Sequence, residues 1–265
     1  MYTRKEALQY EYWAEFIDAI YKLENNGNQY TKMVNHHMNM QHNMHTMGSI
    51  QQIANGPIKV PSGTQRFLPW HRQYLLEFEK LLQTINPKLY IPYWDWSLNR
   101  DFPKELKDLL LDLTFKISNR RGGFEIVKTK SIQRRFPFNS SALPNIAEVQ
   151  GAMNETNYVN FSVELEGRGI IDDNTGEFIP FGRWSAGLHN LVHGLVGGIM
   201  GNTQLSPADP VFWLHHAYCD KIWWDWQKQN PNEGPTLTGQ DKILDPWTVN
   251  VDELNSPSTL PYTYI

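Results

Sequence analysis

The chain has 265 residues, 40% of them hydrophobic and 20% charged, and a formal net charge of −4. These values are typical of a globular protein, and such mild acidity gives no reason to expect nucleic acid or an anionic membrane as a partner. The single cysteine, Cys219, excludes an intrachain disulfide, and no stretch approaches the roughly 18 apolar residues of a membrane span. Because the N-terminus shows no apolar signal-peptide core, we expect a cytoplasmic protein, with export lacking a visible signal peptide as the alternative.

The first hundred or so residues predict three helices. Residues 3–6 fit a capping box that opens a helix, and apolar residues continue at helical spacing as far as Leu23. A second helix starts near Gln29, and a long loop rich in Gly and Pro separates it from a third helix that starts around Trp70. Residues 90–96 then form a short extended aromatic run.

The remainder of the chain predicts two further strong helices. Between about 98 and 183 the pattern is weaker, with short helices expected near 103–113 and 144–153. A fourth strong helix runs from about 185 to 196, and a fifth ends at Gln229 before an irregular tail. Since no repeat and no linker interrupts the chain, we predict one mainly helical domain.

The nine histidines fall into two clusters. In the downstream cluster, His189 and His193 lie one helical turn apart, and the doublet His215-His216 follows on the fifth helix. Because positions i and i+4 share a helix face, this pair and one histidine of the doublet can form a three-nitrogen metal site with an open position. The other five histidines are at positions 36, 37, 42, 45 and 71, and the residues alone do not select among them. All-imidazole ligation fits Zn, Cu, Fe or Ni.

Two long motifs carry a family resemblance. Phe67-Leu-Pro-Trp-His-Arg72 resembles the third copper-A ligand motif of the tyrosinases, and Asp209-Pro-Val-Phe-Trp-Leu-His-His216 resembles their copper-B motif. The chain resembles the bacterial tyrosinases in particular, from about residue 2 to its C-terminus. The resemblance implies one catalytic domain, 1–265, in which a central four-helix bundle with long irregular loops and little strand holds a dinuclear type-3 copper site, with O2 as co-substrate.

The resemblance also implies most of the copper ligands. It assigns His189, His193 and His216 to copper B, because the family uses the second histidine of the doublet. It assigns His71 to copper A as the last ligand. In the family a tyrosine precedes the first copper-A ligand by seven residues, which here selects His37 over His36.

The surroundings of the copper ions leave alternatives open. Ser62 stands where bacterial tyrosinases usually have the middle copper-A ligand. We expect His45 to supply this third nitrogen, with His42 as the alternate; if neither does, copper A is defective. Asp95 and Asp209 are expected either to orient ligand histidines or to cap helices.

Five residues are expected to act on the substrate. By resemblance, Glu166 and Asn190 hold a water that accepts the proton of a phenol. The alternative for Glu166 is a solvated loop acid. Phe212, Gly194 and Met200 are expected at the substrate pocket, where Phe212 packs against the ligands and Gly194 leaves the mouth open.

The expected activity is o-hydroxylation of monophenols and oxidation of o-diphenols to o-quinones with O2, the chemistry of melanin biosynthesis. The alternatives are a catechol or o-aminophenol oxidase without hydroxylation, a haemocyanin-like O2-binding protein, and a one-copper site. The absence of a C-terminal shielding domain and the small Gly194 favour the enzyme. The expected partners are small phenolic substrates and, for copper loading, a chaperone, with the protein a monomer or homodimer and with no nucleic-acid or membrane partner.

Overall fold

The computed structural model describes residues 1–38, 50–52, 58–59, 62–109, 111–118, 123–132, 134–135, 139–172, 178–181 and 187–265. Seven α-helices lie in these ranges: α1 (Trp13–Asn25), α2 (Gln29–Met38), α3 (Ser62–Ile85), α4 (Ile146–Met153), α5 (Tyr158–Glu166), α6 (Gly187–Val196) and α7 (Val211–Gln229). The prediction of a mainly helical fold with little strand is confirmed. No helix in these ranges is both long and apolar enough to cross a membrane.

The strands are short and form four small sheets. Their bounds are β1 (Tyr2–Arg4), β2 (Ile50–Gln52), β3 (Ile58–Lys59), β4 (Thr114–Ser118), β5 (Phe124–Lys128), β6 (Arg168–Asp172), β7 (Phe178–Phe181), β8 (Ile243–Leu244), β9 (Val249–Asn250) and β10 (Tyr262–Tyr264). The largest sheet has the order β3-β2-β6-β7, and the other pairs are β4-β5, β8-β9 and β1-β10. In the last pair the strands are parallel, so the two ends of the described chain lie side by side.

Helices α2, α3, α6 and α7 surround the candidate site, and α3 packs along α7. Helix α7 is buried on all sides from Val211 to Asp220, a stretch that includes both histidines of its doublet. A helix segment that is buried all round belongs in the centre of a bundle. The layout therefore places histidine-bearing segments of four helices, α2, α3, α6 and α7, around one cavity.

The N-terminal segment differs from its prediction. Thr3 lies in strand β1 and pairs with Thr263 rather than capping a helix. Leu8, which the apolar pattern placed on a buried helix face, is 76% exposed. Helix α1 begins only at Trp13. The pairing of β1 with β10 overrides the local capping pattern, and no short window of sequence contains both strands.

Helix α3 begins at Ser62, eight residues before the predicted start at Trp70, and continues through Pro69. Proline cannot donate to the carbonyl four residues earlier, which here belongs to Gln65. The hydroxyl of Tyr158 donates to that carbonyl oxygen at 2.9 Å. The hydrogen bond lost at the proline is thus replaced by one from α5, so the helix continues where the sequence predicted a loop.

The stretch between 98 and 183 also differs from its prediction. Helix α4 matches the expected helix near 144–153, but the one near 103–113 is only a single 3-10 turn, Lys104–Leu106. The hairpin β4-β5 and helix α5 were not predicted. Helix α5 has a weak apolar periodicity because it is buried on most sides, which leaves little contrast between its faces.

Candidate metal centre

Three imidazoles from two helices converge on one point. His189 and His193 lie on α6, and the Nε2 atom of each is 3.2 Å from Nε2 of His216 on α7. Nitrogens bound at about 2.0 Å around one tetrahedral ion are separated by about 3.3 Å. The spacing of these three nitrogens therefore fits a single metal ion.

The hydrogen bonds of two of these rings fix which nitrogen carries the proton. His193 Nδ1 lies 2.7 Å from the carbonyl oxygen of Met200, and His189 Nδ1 lies 2.8 Å from Oδ1 of Asn190. A carbonyl oxygen only accepts, so each Nδ1 donates a proton and each Nε2 keeps its lone pair. These partners set the tautomer that a metal ion requires.

Burial keeps the rings uncharged. It lowers the pKa of His193 to about 4 and that of His71 to about 3, because a charged imidazolium is poorly solvated in the interior. Burial, together with the neighbouring imidazoles, holds the pKa values of His189 and His216 well below the usual range. Neutral imidazoles without thiolates are a donor set that fits copper.

A second group of histidines adjoins the first. His71 of α3 stacks on His216 with 4.3 Å between ring centroids, and its centroid is 5.7 Å from that of His37 of α2. His71 donates through Nδ1 to the carbonyl oxygen of Phe67 at 2.8 Å, which leaves the Nε2 lone pair for a metal. His37 is buried and lines the same cavity as His71. Two ions held by these groups would be neighbours.

The expected third ligand of this second group, His45 or else His42, lies outside the described residues, because both histidines fall in 39–49. Ser62, which stands where bacterial tyrosinases usually have the middle copper-A ligand, is the first residue of α3. Among the described residues, the histidines that meet the spacing of a metal site on their own are His189, His193, His215 and His216.

An open cavity of about 450 Å³ leads to the histidines. Its volume is within the usual range for small-molecule sites. Its wall consists of His37, Phe67, His71, Glu166, His189, Asn190, His193, Gly194, Met200, Gly201, Thr203, Ser206 and His216.

Four of the five residues expected to act on the substrate line the cavity, and Phe212 does not. Glu166, Asn190, Gly194 and Met200 all line the cavity. Glu166 ends α5 and is only 1% exposed, so the alternative of a solvated loop acid is wrong. Phe212 is not part of the cavity wall; it packs behind the ligands, with its ring centroid 4.0 Å from that of His216.

Phe67 was not predicted from the sequence to be a site residue. Its ring centroid lies 4.7 Å from that of His71 and 4.9 Å from that of His189, so Phe67 forms part of the cavity wall next to both groups of histidines. Phe67 lies four residues before His71, which places both side chains on one face of α3, but the predicted helix began only around Trp70 and so did not include it.

The two aspartates expected near the ligands act elsewhere. Asp209 pairs with Arg134 and accepts the backbone N–H of Val211, which makes it a cap for α7. Asp95 accepts hydrogen bonds from the backbone and hydroxyl of Ser97. Within the described ranges neither aspartate is hydrogen-bonded to a histidine, so the capping alternative applies to Asp209.

Known proteins resemble the chain in sequence. The profile of the common central domain of tyrosinase matches residues 27–140 and 115–229. A tyrosinase from Streptomyces glaucescens is 32% identical over 255 residues, which cover 88% of this chain and 86% of that relative.

Solved structures resemble it in fold. A polyphenol oxidase from Thermothelomyces thermophila covers 100% of this chain and 89% of its own with a TM-score of 0.68 at 16% identity. A functional unit of octopus hemocyanin covers 100% of this chain and 68% of its own with a TM-score of 0.58 at 17% identity. At such identities the likeness shows the fold alone, which oxidases and oxygen carriers share.

Proposed function

The chain belongs to the tyrosinase family of type-3 copper proteins, and from this premise we propose that it hydroxylates monophenols at the ortho position and oxidises o-diphenols to o-quinones with O2. The observation that carries the proposal is the convergence of His189, His193 and His216 at the floor of an open cavity. When bound, the copper pair supplies O2 activation and the redox equivalents.

We propose that His189, His193 and His216 hold copper B and that His37 and His71 hold copper A. The third copper-A nitrogen is proposed to come from His45, or else from His42. The Nδ1–H donors of His71, His189 and His193 support their assignment, since a proton on Nδ1 puts the lone pair of each ring on Nε2, the form that binds a metal.

We propose that Glu166 is the proton acceptor for the bound phenol, acting through a water that Asn190 helps to hold. Burial of the Glu166 carboxylate in the cavity wall supports this role. Oδ1 of Asn190 accepts a hydrogen bond from His189, and the amide N–H of Asn190 is the group proposed to donate to the water. A water that accepts a hydrogen bond from an N–H group can still donate its own proton to a carboxylate.

The experiment compares a monophenol with its o-diphenol as substrates for Glu166→Gln. Glutamine keeps the size of the side chain but accepts protons poorly, so kcat/KM for the monophenol should fall by about 100-fold, within the usual range for loss of a general base. The diphenol, whose oxidation needs no hydroxylation, should lose less than tenfold. Equal losses on both substrates would contradict the role of Glu166.

An oxygen carrier is the competing function. The open cavity and the small Gly194 at its wall favour an enzyme over a haemocyanin-like protein, because a substrate needs access to the ions. Reversible O2 binding without turnover of catechol would select the carrier instead.

The remaining proposals concern organisation and partners. We propose that residues 1–265 form one catalytic domain, which the pairing of β1 with β10 supports. We also propose a cytoplasmic monomer or homodimer that receives copper from a chaperone protein and takes small phenols as substrates. Cell fractionation and size-exclusion chromatography with light scattering test location and oligomeric state.

A further inference from the structure

Four imidazoles, rather than three, crowd the proposed copper-B site: His189, His215 and His216 are buried and His193 is partly buried. Each of His189, His193, His215 and His216 offers a nitrogen, and these nitrogens all lie within 4.8 Å of one another. By distance alone, His215 is therefore a fourth ligand candidate. A fourth imidazole on copper B would occupy the position that a catalytic metal keeps open for its substrates.

The hydrogen bond to His215 has the opposite polarity to those of the ligand rings. The indole N–H of Trp96 donates to Nδ1 of His215 at 3.1 Å, and both side chains are completely buried. An indole N–H can only donate, so Nδ1 must hold a lone pair and the ring proton must sit on Nε2. Neither nitrogen of His215 then offers a free lone pair to a metal. By contrast, His189 and His193 meet an oxygen acceptor at Nδ1.

We propose that Trp96 is a positioning residue that locks His215 in the Nε2–H tautomer and so excludes it from copper B. The lock leaves copper B with three imidazoles and an open position. This inference rests on the proposed copper-B ligands.

In its locked state His215 acts as packing for the ligands. Its ring stacks on that of His189, with centroids 5.0 Å apart and planes at 14°, and it meets the ring of His193 edge-on at 4.8 Å. A ring held in this way limits the rotation of both neighbours. His215 thus supports the geometry of the site without binding the ion.

The tautomer is read directly by long-range ¹H–¹⁵N NMR correlations on the full chain loaded with copper(I), which is diamagnetic. His215→Phe identifies the signals of residue 215. The lock predicts a proton on Nε2 of His215, and Trp96→Phe should shift the ring toward a mixture of tautomers. A proton on Nδ1 of His215 in the wild type would overturn the proposal.

Copper content per reconstituted chain tests the exclusion. His216→Ala should lose about one copper although His215 lies close by, since the lock prevents its replacing His216. Adding Trp96→Phe frees Nδ1 or Nε2 of His215 for the ion, and the lost copper should return, with affinity raised about 10- to 100-fold over His216→Ala. A third change, His215→Phe, should remove it again.

Trp94→Phe is the matched control. Trp94 is equally buried and donates its indole N–H to the carbonyl oxygen of Asn99 at 2.9 Å. In the His216→Ala background this change should restore no copper. Circular dichroism checks that both double variants, Trp96→Phe and Trp94→Phe in the His216→Ala background, are folded. If both are folded and Trp96→Phe also restores no copper, the exclusion of His215 by Trp96 is overturned, while the proposed copper-B ligands still stand. If His216→Ala keeps all its copper, the proposed ligands and the exclusion fail together.

Discussion

At the scale of single residues, Gly194 determines how much room lies beside the proposed copper-B ligands. It follows His193 on α6, lines the cavity and is exposed. A Cβ atom built on it meets no other heavy atom within 4 Å. A side chain at this position would therefore extend into open space at the cavity rather than into the core.

We predict that Gly194→Phe raises KM for bulky o-diphenols at least about tenfold and leaves KM for catechol nearly unchanged, because about 1.4 kcal/mol of lost binding is tenfold. Steady-state kinetics with catechol and with a para-substituted catechol measure this. Gly194→Ala is the control, and it should raise the free energy of unfolding by about 0.5–1 kcal/mol, since glycine is unfavourable inside a helix. An equal rise in KM for both substrates would contradict a role in substrate access.

The sequence predicts the spacing of the histidines but not the direction of their hydrogen bonds. The i, i+4 pair His189 and His193 follows from helix periodicity alone. The preference for His216 over His215 came only from the family resemblance, because its physical reason lies in Trp96, which is 119 residues away in the chain. Likewise, the burial of Glu166 was not predictable, because α5, the helix that it ends, was itself not predicted. The choice between His45 and His42 stays a prediction.

At the scale of elements, one buried ion pair fixes the start of α7. Arg134 binds both carboxylate oxygens of Asp209 at 2.6 Å and also donates to backbone carbonyls of 106–109. Asp209 in turn caps the helix that carries His216. The irregular segment before β4 is thus tied to the helix of the metal centre.

We predict that Asp209→Asn lowers the free energy of unfolding by about 3–5 kcal/mol, because it leaves the Arg134 charge buried without a counter-ion. Urea unfolding followed by circular dichroism measures the change. Asp225→Asn is the control on the same helix: Asp225 forms partly exposed pairs with Lys221 and Lys228, and its loss should cost less than about 1 kcal/mol. Similar costs for the two variants would rule out a special role for the Arg134 pair.

Elements with strong one-sided periodicity were predictable, and those fixed by distant partners were not. Helices α2 and α6 show a clear apolar face and appear where expected. The early start of α3 depends on the hydroxyl of Tyr158, which supplies the hydrogen bond that Pro69 cannot. Thr3 was misassigned for the same reason, since its partner is Thr263. In both cases the decisive contact is remote in sequence.

At the scale of the whole molecule, a buried charge network joins both ends of the described chain to the bundle. Arg4 of β1 binds Glu79 of α3 at 2.7 Å and Asp220 of α7 at 3.0 Å. Asp220 also binds Arg72 of α3 at 2.5 Å and accepts from the hydroxyl of Tyr264 at 2.6 Å. The network therefore links β1 and β10 to the helices that carry His71 and His216.

This network predicts acid sensitivity. Burial raises the pKa of Asp220, but the charges of Arg72 and Arg4 lower it by more, so the pKa lies below its ordinary value. A depressed pKa contributes stability that is present above the unfolded-state pKa of about 3.9 and is lost as the pH falls toward the folded-state value. The difference in unfolding free energy between wild type and Asp220→Asn should thus be constant from about pH 5 to 7 and shrink below about pH 4. A difference that stays constant down to pH 3 would contradict this reading.

The central claim is that this chain holds two neighbouring copper ions and uses them to oxidise phenols. The most direct measurement is copper per chain after reconstitution, made together with O2 uptake in the presence of catechol. The account predicts two coppers per chain and rapid O2 uptake. Both should be reduced in His71→Ala, which removes a proposed copper-A ligand, and in His216→Ala, which removes a proposed copper-B ligand. One copper per chain with no O2 uptake would mean that the second group of histidines, which includes His37 and His71, does not bind its ion, and the account would be contradicted.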